Sequence, residues 1–316
     1  MGISSQRNNR VVQNWKCILI CFCMALANCQ YGFDTASIGG FQAMVGFLEV
    51  FGYPDPERPT GWNIGTRSQQ LIASTLNVGT IAGVAVTGIF GRYYGRRPAI
   101  WLATLIAFAG AGVQVGARSL GALCVGRVLI GMSNAFFFTF SNVYCVESTP
   151  AHLRAVVTSF FGIWVNIGSI LGSVADQQSE KHPDRLAYQI PLASLFVIPA
   201  TLSVLVFFIP ESPRWLLVQG RQEEARRSLE RLRGGSLEAE FFEEEFTEMV
   251  RGIEEEKSLA SSAAFLDMFK ASDLRRTIVC IGVILSHSSS GLWLFIAYSV
   301  SSPPYISTQP SCSSFP

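Results

Sequence analysis

The chain has 316 residues, of which 49% are hydrophobic and 15% are charged, and its formal net charge is +1. Nucleic-acid-binding proteins usually concentrate basic residues on one strongly positive surface, so this nearly neutral chain does not fit that class. The composition instead favours a protein whose backbone polar groups are satisfied within helices inside a lipid bilayer. We therefore predict the bilayer as a partner and no nucleic acid.

Charged residues are almost absent from six long stretches, each close to the ~20 residues that a helix needs to cross ~30 Å of hydrocarbon. The stretches are residues 17–33, 68–91, 98–117, 128–146, 155–175 and 186–210. A seventh begins near Thr277, and no charged residue follows Arg276. The pattern predicts an all-α, multi-pass membrane protein, with six spans before a hydrophilic segment and a seventh after it.

Basic residues are distributed unevenly between the connecting segments. If the N-terminus is cytosolic, the cytosolic segments 1–16, 91–97, 147–154 and 211–276 hold 18 of the 24 Lys and Arg residues. Because cytosolic loops carry an excess of Lys and Arg, we predict a cytosolic N-terminus. We expect the protein in the plasma membrane.

The hydrophilic segment 211–276 has the composition of two helices, at 221–233 and 236–258, which Gly234-Gly235 would separate. Apolar residues recur on them at spacings of three or four, which would give each helix a narrow stripe able to lie against the membrane domain. These residues are Leu229, Leu232, Phe242, Phe246 and Met249. The alternative is a pair of solvated helices that only connect two spans.

Two ionisable residues lie within apolar sequence. Asp34 belongs to an interrupted first helix, and Arg127 lies in span 4, within or close to the hydrocarbon. A carboxylate and a guanidinium buried in one bundle are accommodated at the lowest free energy as a pair. Protonation of Asp34 would release Arg127 and change the packing of spans 1 and 4, which is the chemistry of proton-coupled transport. The alternative is a static structural ion pair.

Five motifs occur in order along the chain. They are GFDTASIGG (32–40), GRYYGRR (91–97), GRVLIGM (126–132), YCVESTPAHLR (144–154) and PESPRWLL (210–217). Together they resemble the successive signatures of the sugar porter family of the major facilitator superfamily, and its fungal members in particular. The resemblance covers about residues 15–298, and PESPRWLL directly after span 6 is its most specific part.

The resemblance implies a twelve-span fold of two six-helix halves, with the substrate bound between the halves. This chain would supply the N-terminal six-helix bundle, cytosolic helices and a partial seventh span. The function implied is transport of a sugar or related polyol together with H+, without a cofactor, with Asp34 as the proton acceptor and Arg127 as its partner. It also implies a cytosolic charged network that locks the two halves, formed by Arg96, Arg97, Glu147, Arg154, Glu211 and Arg214. For the arginines, anchoring by the positive-inside rule is the alternative.

Several positions depart from the family pattern. Arg92 replaces an acidic residue between spans 2 and 3, and Gly162 stands where hexose-binding members carry a glutamine in span 5. A sugar site needs amide, hydroxyl or imidazole groups beside an aromatic face. The candidate substrate residues are therefore Trp164 and Asn166 in span 5, with His287, Ser288 and Trp293 in span 7. For His287, packing with a hydrogen bond inside its helix is the alternative.

The expected organisation is a cytosolic N-terminus (1–15), a six-span half (16–210), a cytosolic helical linker (211–276), span 7 (277–298) and an aberrant tail (299–316). Pro303, Pro304 and Pro310 disfavour a helix in that tail, so we expect a C-terminally truncated form that lacks spans 8 to 12. A transport-incompetent truncated product and a transporter-like nutrient sensor are alternatives to a carrier. An enzyme is not expected, because the sequence has no metal-spaced cluster, nucleophile elbow or phosphate loop.

Overall fold

The structure is a computed structural model that describes residues 14–56, 61–180, 185–233, 239–260 and 271–289. The chain divides into two units, Met1–Lys257 and Ser258–Pro316. Within the described residues the structure is almost entirely helical. The exception is a short antiparallel hairpin, in which β1 (Tyr53–Pro54) pairs with β2 (Trp62–Asn63).

Six helical segments of the described chain are long and apolar enough to cross a membrane. They are span 1 (Trp15–Ala43), span 2 (Thr66–Tyr93), span 3 (Arg96–Gly116), span 4 (Leu120–Ser148), span 5 (Ala151–Ser179) and span 6 (Leu186–Phe208). Each contains most of one of the six uncharged stretches. The prediction of an all-α membrane protein with a six-helix bundle is confirmed.

Several spans consist of more than one helix. In chain order the helices of the first unit's bundle are α1 (Trp15–Ala25), α2 (Ala27–Ala43), α3 (Val45–Phe51), α4 (Thr66–Tyr93), α5 (Arg96–Gly116), α6 (Leu120–Ser148), α7 (Arg154–Ser179), α8 (Leu186–Ser194) and α9 (Val197–Phe208). A short 3₁₀ turn, Ala151–Leu153, precedes α7. Span 1 is interrupted at Leu26, and Asp34 lies in the regular part of α2, two turns further on.

Small residues let pairs of spans pack closely. A Cβ atom added to Gly32 in span 1 would lie 2.0 Å from the Val165 carbonyl oxygen in span 5. One added to Gly131 in span 4 would lie 2.1 Å from the Leu76 carbonyl oxygen in span 2. Such backbone contact is how membrane helices associate, because lipid gives no hydrophobic driving force between them. The backbones of spans 1 and 5, and of spans 2 and 4, therefore touch along glycine-lined seams.

Three helices follow span 6: α10 (Pro213–Val218), α11 (Gln222–Arg233) and α12 (Ala239–Ala260). The last two correspond to the predicted helices at 221–233 and 236–258. Leu229 and Leu232 are fully buried. A separate apolar cluster joins the three helices through Trp215, Leu216, Leu217, Ala225 and Ile253, with Phe246 and Met249 packed against it. These contacts disfavour the alternative in which the two helices are solvated on all sides.

The second unit contributes α13 (Ala271–Ser289). This helix covers the first part of the predicted span 277–298. The remainder of that span and the predicted tail 299–316 lie outside the described residues.

Candidate functional site

Asp34 and Arg127 form an ion pair in the interior of the six-span bundle. The Arg127 Nη1 atom donates to Asp34 Oδ1 at 2.5 Å, and the two side chains are 0% and 1% exposed. Arg127 follows Gly126, whose missing side chain leaves room for Gln114 of span 3 at 2.5 Å from the Cβ position. The pair thus joins spans 1 and 4 inside the bundle, and span 3 packs beside it at Gly126.

The hydrogen bonding of this pair is incomplete. Asp34 Oδ2 and the Nε and Nη2 atoms of Arg127 are buried and have no hydrogen-bond partner among the described residues. The side-chain amides of Gln30, one turn before Asp34, and of Gln114, which packs beside Gly126, are also buried and have no hydrogen-bond partner among the described residues. We call Gln30, Asp34, Gln114 and Arg127 the buried polar cluster. Unsatisfied buried polar groups cost free energy, so a rearrangement that satisfies them is favoured.

A second group of charges lies at the end of the bundle where spans 2 and 3 connect. We call this end, marked by Arg96, Arg97, Glu147 and Glu211, the charged end. Gly95 makes the turn with φ of 95°, a conformation that favours glycine. The Glu211 carboxylate then accepts the backbone N–H groups of Arg96 and Arg97 at 3.0 and 3.1 Å. These N–H groups belong to the first turn of α5, where a helix binds anions.

Arg96 also holds Glu147 at the end of span 4. Its Nε and Nη2 atoms donate to the two carboxylate oxygens at 2.9 and 2.5 Å, a bidentate arrangement. Ser212 Oγ lies 2.6 Å from Glu147 Oε2 and donates to it. Charge-assisted bidentate bonds fix geometry as well as adding free energy. The start of span 3, the end of span 4 and the loop after span 6 are therefore tied together.

The carboxyl group of Glu211 is perturbed by its surroundings. Burial raises the pKa of Glu211 above its ordinary value of 4.5, and the N–H groups of Ser212, Arg97 and Arg96 oppose that rise without cancelling it. The free energy of this contact consequently depends on pH.

Three predicted members of the charged network make other contacts. The Arg97 Nη2 atom donates to the carbonyl oxygens of Val206 and Phe207, at 3.2 and 3.1 Å, and caps the end of span 6. Arg154 donates to the Thr149 carbonyl oxygen at 3.4 Å. Arg214 pairs with Glu256 of α12. The structure thus gathers Arg96, Glu147, Glu211 and the Arg97 backbone, and it leaves Arg154 and Arg214 apart, because helix-end carbonyls and α12 compete for the guanidinium groups.

The sequence interpretation missed Arg233 at the end of α11. Its guanidinium pairs with Glu245 of α12, with Nε 3.0 Å from Oε2, and Nη1 donates to the Ser148 carbonyl oxygen at 3.2 Å. Burial alone would lower the pKa of Arg233, but the bonds to Glu245 outweigh that effect and raise it. In the sequence, the only indication of this role is that Arg233 is a basic residue at the end of an amphipathic helix. Its partners Glu245 and Ser148 can be identified only from the fold.

The predicted substrate residues are described only in part. The Trp164 indole N–H donates to the Phe22 carbonyl oxygen at 2.9 Å, and its ring packs against the Phe22 ring with centroids 4.9 Å apart. Asn166 is exposed, and its Nδ2 atom donates to Gly162 of its own helix at 2.7 Å. The backbones of His287 and Ser288 belong to α13, whereas their side chains, together with Trp293, lie outside the described residues.

Asp176 in the last turn of span 5 is a second buried carboxyl group that the sequence interpretation missed. It is 7% exposed, and its Oδ1 atom has no hydrogen-bond partner in the described ranges. A Cβ atom added to Gly40 in span 1 would lie 2.1 Å from Asp176 Oδ2. The predicted uncharged stretch ends at residue 175, one position before Asp176. A carboxylate that immediately follows an apolar stretch was the signal.

Spans 2 and 5 are the least covered by the rest of the bundle. In their apolar windows 22% and 17% of residues are buried, against 61% in span 1. Their exposed surfaces carry polar side chains, including the amides Asn77 in span 2 and Asn166 in span 5. Each amide lies near the middle of its span. Polar side chains at membrane depth normally face protein or a water-filled cavity, whereas other parts of the same two spans expose large apolar side chains such as Ile81 and Ile170.

Comparison with known proteins gives a consistent match. Residues 20–302 match the family described as "Sugar (and other) transporter". The hexose transporter HXT10 of Saccharomyces cerevisiae is 25% identical, and the alignment covers 91% of this chain and 53% of that protein. The maltose permease MAL31 of the same yeast is 31% identical over 80% of this chain and 42% of its own length. The chain therefore spans about half the length of the curated relatives that it matches.

Solved structures agree at the level of the fold. A structure of the major facilitator superfamily proton:xylose symporter XylE, a protein of E. coli, superimposes with a TM-score of 0.67 at 21% sequence identity. The match covers 81% of this chain and 56% of XylE. The six spans accordingly have the arrangement of a major facilitator bundle.

Proposed function

Because this chain belongs to the family of sugar and other transporters, we propose that it takes part in proton-coupled transport of a sugar or related polyol across a membrane. The relatives carry names of hexose and maltose carriers, and the structural neighbour is a proton:xylose symporter. These names support a neutral, hydroxyl-rich substrate. They are names of carriers rather than of enzymes.

The ion pair of Asp34 with Arg127 is the observation that carries the proton coupling. One hydrogen bond of 2.5 Å joins two fully buried side chains, and the remaining polar atoms of both are unpartnered in the described residues. A proton that reaches Asp34 removes the charge that holds Arg127 in place. The Arg127 guanidinium can then form hydrogen bonds with other acceptors, and spans 1 and 4 repack. Proton binding thereby changes the relative stability of two conformations, as coupling requires.

The charged end would serve as the latch of the transport cycle, on the cytosolic side. Hydrogen bonds from the start of span 3 to Glu147 and Glu211 connect it to the end of span 4 and to the loop after span 6. Fully exposed ion pairs contribute only about 0–1 kcal/mol each, and the bidentate pair of Arg96 with Glu147, whose side chains are 15% and 14% exposed, contributes more. A difference in substrate affinity between two conformations would break or remake these contacts. The excess of basic residues in the same segments supports the cytosolic placement.

The exposed polar surface of spans 2 and 5 would face the substrate. Asn77 and Asn166 present amides near the middle of two spans, and an amide offers both donors and an acceptor to sugar hydroxyl groups. The indole ring of Trp164 packs against Phe22 of span 1, and residues two positions apart on a helix do not share a face, so Trp164 would contact the substrate from a different side of span 5 than Asn166.

Uptake of labelled sugars tests this proposal. The protein would be expressed from its full gene in yeast cells that lack their own hexose and maltose carriers. We expect accumulation of a tested sugar or polyol that rises as external pH falls and that a protonophore abolishes. Glucose, xylose, maltose and a polyol series would be compared. Uptake that is unaffected by the proton gradient would contradict the coupling, and no uptake of any of these compounds would contradict the substrate class.

A further inference from the structure

A cavity of about 530 Å³ opens at the charged end, between the start of span 3, the loop after span 6 and α11. Four arginines line it: Arg97, Arg221, Arg227 and Arg231. The Ser228 hydroxyl donates to the Glu211 carbonyl oxygen and fixes the arginine-bearing face of α11 toward the cavity. Its volume is within the range of sites that hold small ligands.

The positive charge of this cavity is only partly neutralised. Two carboxylates, Glu211 and Glu224, are also in the lining. Glu224 is paired with Arg221 at 2.8 and 2.5 Å, and Glu211 is held by backbone N–H groups. Arg227 and Arg231 form no hydrogen bond or ion pair with any residue of the described chain. Like charges four residues apart on a helix are unfavourable without a counter-ion, so this face is suited to an anion.

Arg97 adds a donor from the membrane side. Its Nη2 atom caps the carbonyl groups of Val206 and Phe207, while its Nη1 atom makes no hydrogen bond within the described residues. A guanidinium that is already oriented loses little conformational freedom when it binds an additional oxygen, and its planar geometry matches phosphate.

The cavity adjoins apolar surface that faces lipid. Trp101 lies one turn along span 3 from Arg97 and is exposed, and Phe207 and Phe208 at the end of span 6 are more exposed still. Tyr94 in the cavity lining is exposed as well. Exposed aromatic side chains next to a span end are typical of the membrane–water interface. A basic cavity continuous with such a surface fits an amphiphile with an anionic head and acyl chains, rather than a freely soluble anion.

We propose that this cavity binds the phosphorylated headgroup of an anionic phospholipid, with Arg97, Arg227 and Arg231 on the phosphates and the acyl chains along Trp101 and Phe207. Basic pockets on the cytosolic side of membrane proteins are suited to polyphosphorylated headgroups, since each cation near the phosphates adds to the attraction. The site lies outside the buried polar cluster. The inference depends on the charged end being cytosolic, and it does not depend on which sugar is carried or on proton coupling.

Lipid binding by the purified full chain in nanodiscs tests the proposal directly. The probes are phosphatidylcholine alone, phosphatidylcholine with phosphatidylserine, and phosphatidylcholine with phosphatidylinositol bisphosphate. We expect a clear preference for the bisphosphate lipid, and binding weakened roughly tenfold or more in Arg227→Gln/Arg231→Gln, because both cations act on the same headgroup. The charge-preserving variant Arg227→Lys/Arg231→Lys should recover most of the binding.

A matched control separates this site from a general attraction of basic residues to anionic membranes. Arg226→Gln/Arg251→Gln removes the same charge from α11 and α12, where each arginine has a carboxylate partner. We expect that variant to bind as the wild type does. Equal weakening in both double variants, or no preference over phosphatidylcholine, would overturn the proposal. Displacement of the lipid by inorganic phosphate or soluble inositol phosphate at equal concentration would assign the cavity to a free anion and overturn it as well.

Discussion

Arg233 at the end of α11 donates from Nη1 to the carbonyl oxygen of Ser148, the last residue of span 4, at 3.2 Å. The same guanidinium holds Glu245 of α12, so one side chain connects both amphipathic helices to the end of a membrane span. Because Arg233 is buried, removing its side chain would leave both Glu245 and the Ser148 carbonyl oxygen without their hydrogen-bond donor, which costs free energy.

Arg233→Met should lower the free energy of unfolding by about 2–4 kcal/mol, because it leaves Glu245 without a partner in a largely buried place. Thermal unfolding of the purified chain in detergent measures the effect. Arg251→Met is the control, since Arg251 pairs with Glu255 on the exposed face of α12 and should cost only about 0–1 kcal/mol. Equal losses in the two variants would contradict the assignment of Arg233 as the connecting residue.

Asp34→Asn should destabilise the bundle by about 3–5 kcal/mol, because Arg127 then remains buried without its counter-charge. Asp176→Asn provides a matched comparison in the adjacent span. Asp176 forms no ion pair within the described residues, so an isosteric amide should change stability by no more than about 1 kcal/mol. The two unfolding midpoints, measured in the same detergent, test the contrast. If Asp176→Asn is as damaging as Asp34→Asn, then Asp176 has a charged partner after all.

The charged end should respond to pH through Glu211. Its pKa is raised in the folded protein, so between the ordinary value of 4.5 and the raised value the folded state holds more protons than the unfolded state. This residue's contribution to stability is therefore complete below pH 4.5 and declines as pH increases through that window. Glu211→Gln does not titrate, so the difference in melting temperature between the wild type and this variant should fall from acidic to neutral pH. A difference that stays constant, or increases, would contradict the burial of this carboxyl group.

The glycine seam between spans 2 and 4 predicts a strong position dependence of small substitutions. Gly131→Ala places a methyl group 2.1 Å from the Leu76 carbonyl oxygen and should cost about 1–3 kcal/mol by forcing the helices apart. Gly88→Ala, in the same pair of helices, meets no atom within 4 Å, and it should be neutral or should stabilise by about 0.5–1 kcal/mol through helix propensity. Thermal unfolding of both variants checks the prediction, and the same loss in both would argue against close backbone contact.

If the substrate contacts the amides of Asn77 and Asn166, removing either amide should weaken its binding. Asn77→Ala and Asn166→Ala should each raise the KM for the transported sugar by about tenfold, the value of one lost hydrogen bond. Asn142→Ala in span 4 is the control, because that amide donates within its own helix as Asn166 does but is half-buried and lies outside spans 2 and 5. KM values from initial uptake rates decide the matter. Unchanged KM in both test variants would exclude the surface of spans 2 and 5 from the substrate path.

The spans and the central ion pair were predictable because membrane physics leaves few options for them. Long uncharged stretches predict helices, and Asp34 and Arg127 have few other ways to compensate their charges in lipid. The contacts of Arg97 and Arg214 were not predictable in the same way. A guanidinium at a membrane surface can reach a carboxylate, a helix end or water at similar free energy, and the final distances between helices decide among them. Asp176 escaped notice because its burial depends on Gly40, which is far away in the sequence.

The pairing of Asp34 with Arg127 also constrains biosynthesis. The two residues are 93 positions apart, so at about 5–20 residues per second the carboxylate of span 1 is synthesised roughly 5–20 s before its partner. Throughout that interval span 1 has neither the guanidinium of span 4 nor the glycine-lined surface of span 5 against it. Until span 4 is inserted, the Asp34 carboxyl group must be protonated or be held by the insertion machinery. Insertion of span 4 is therefore the step after which the bundle can form its central ion pair.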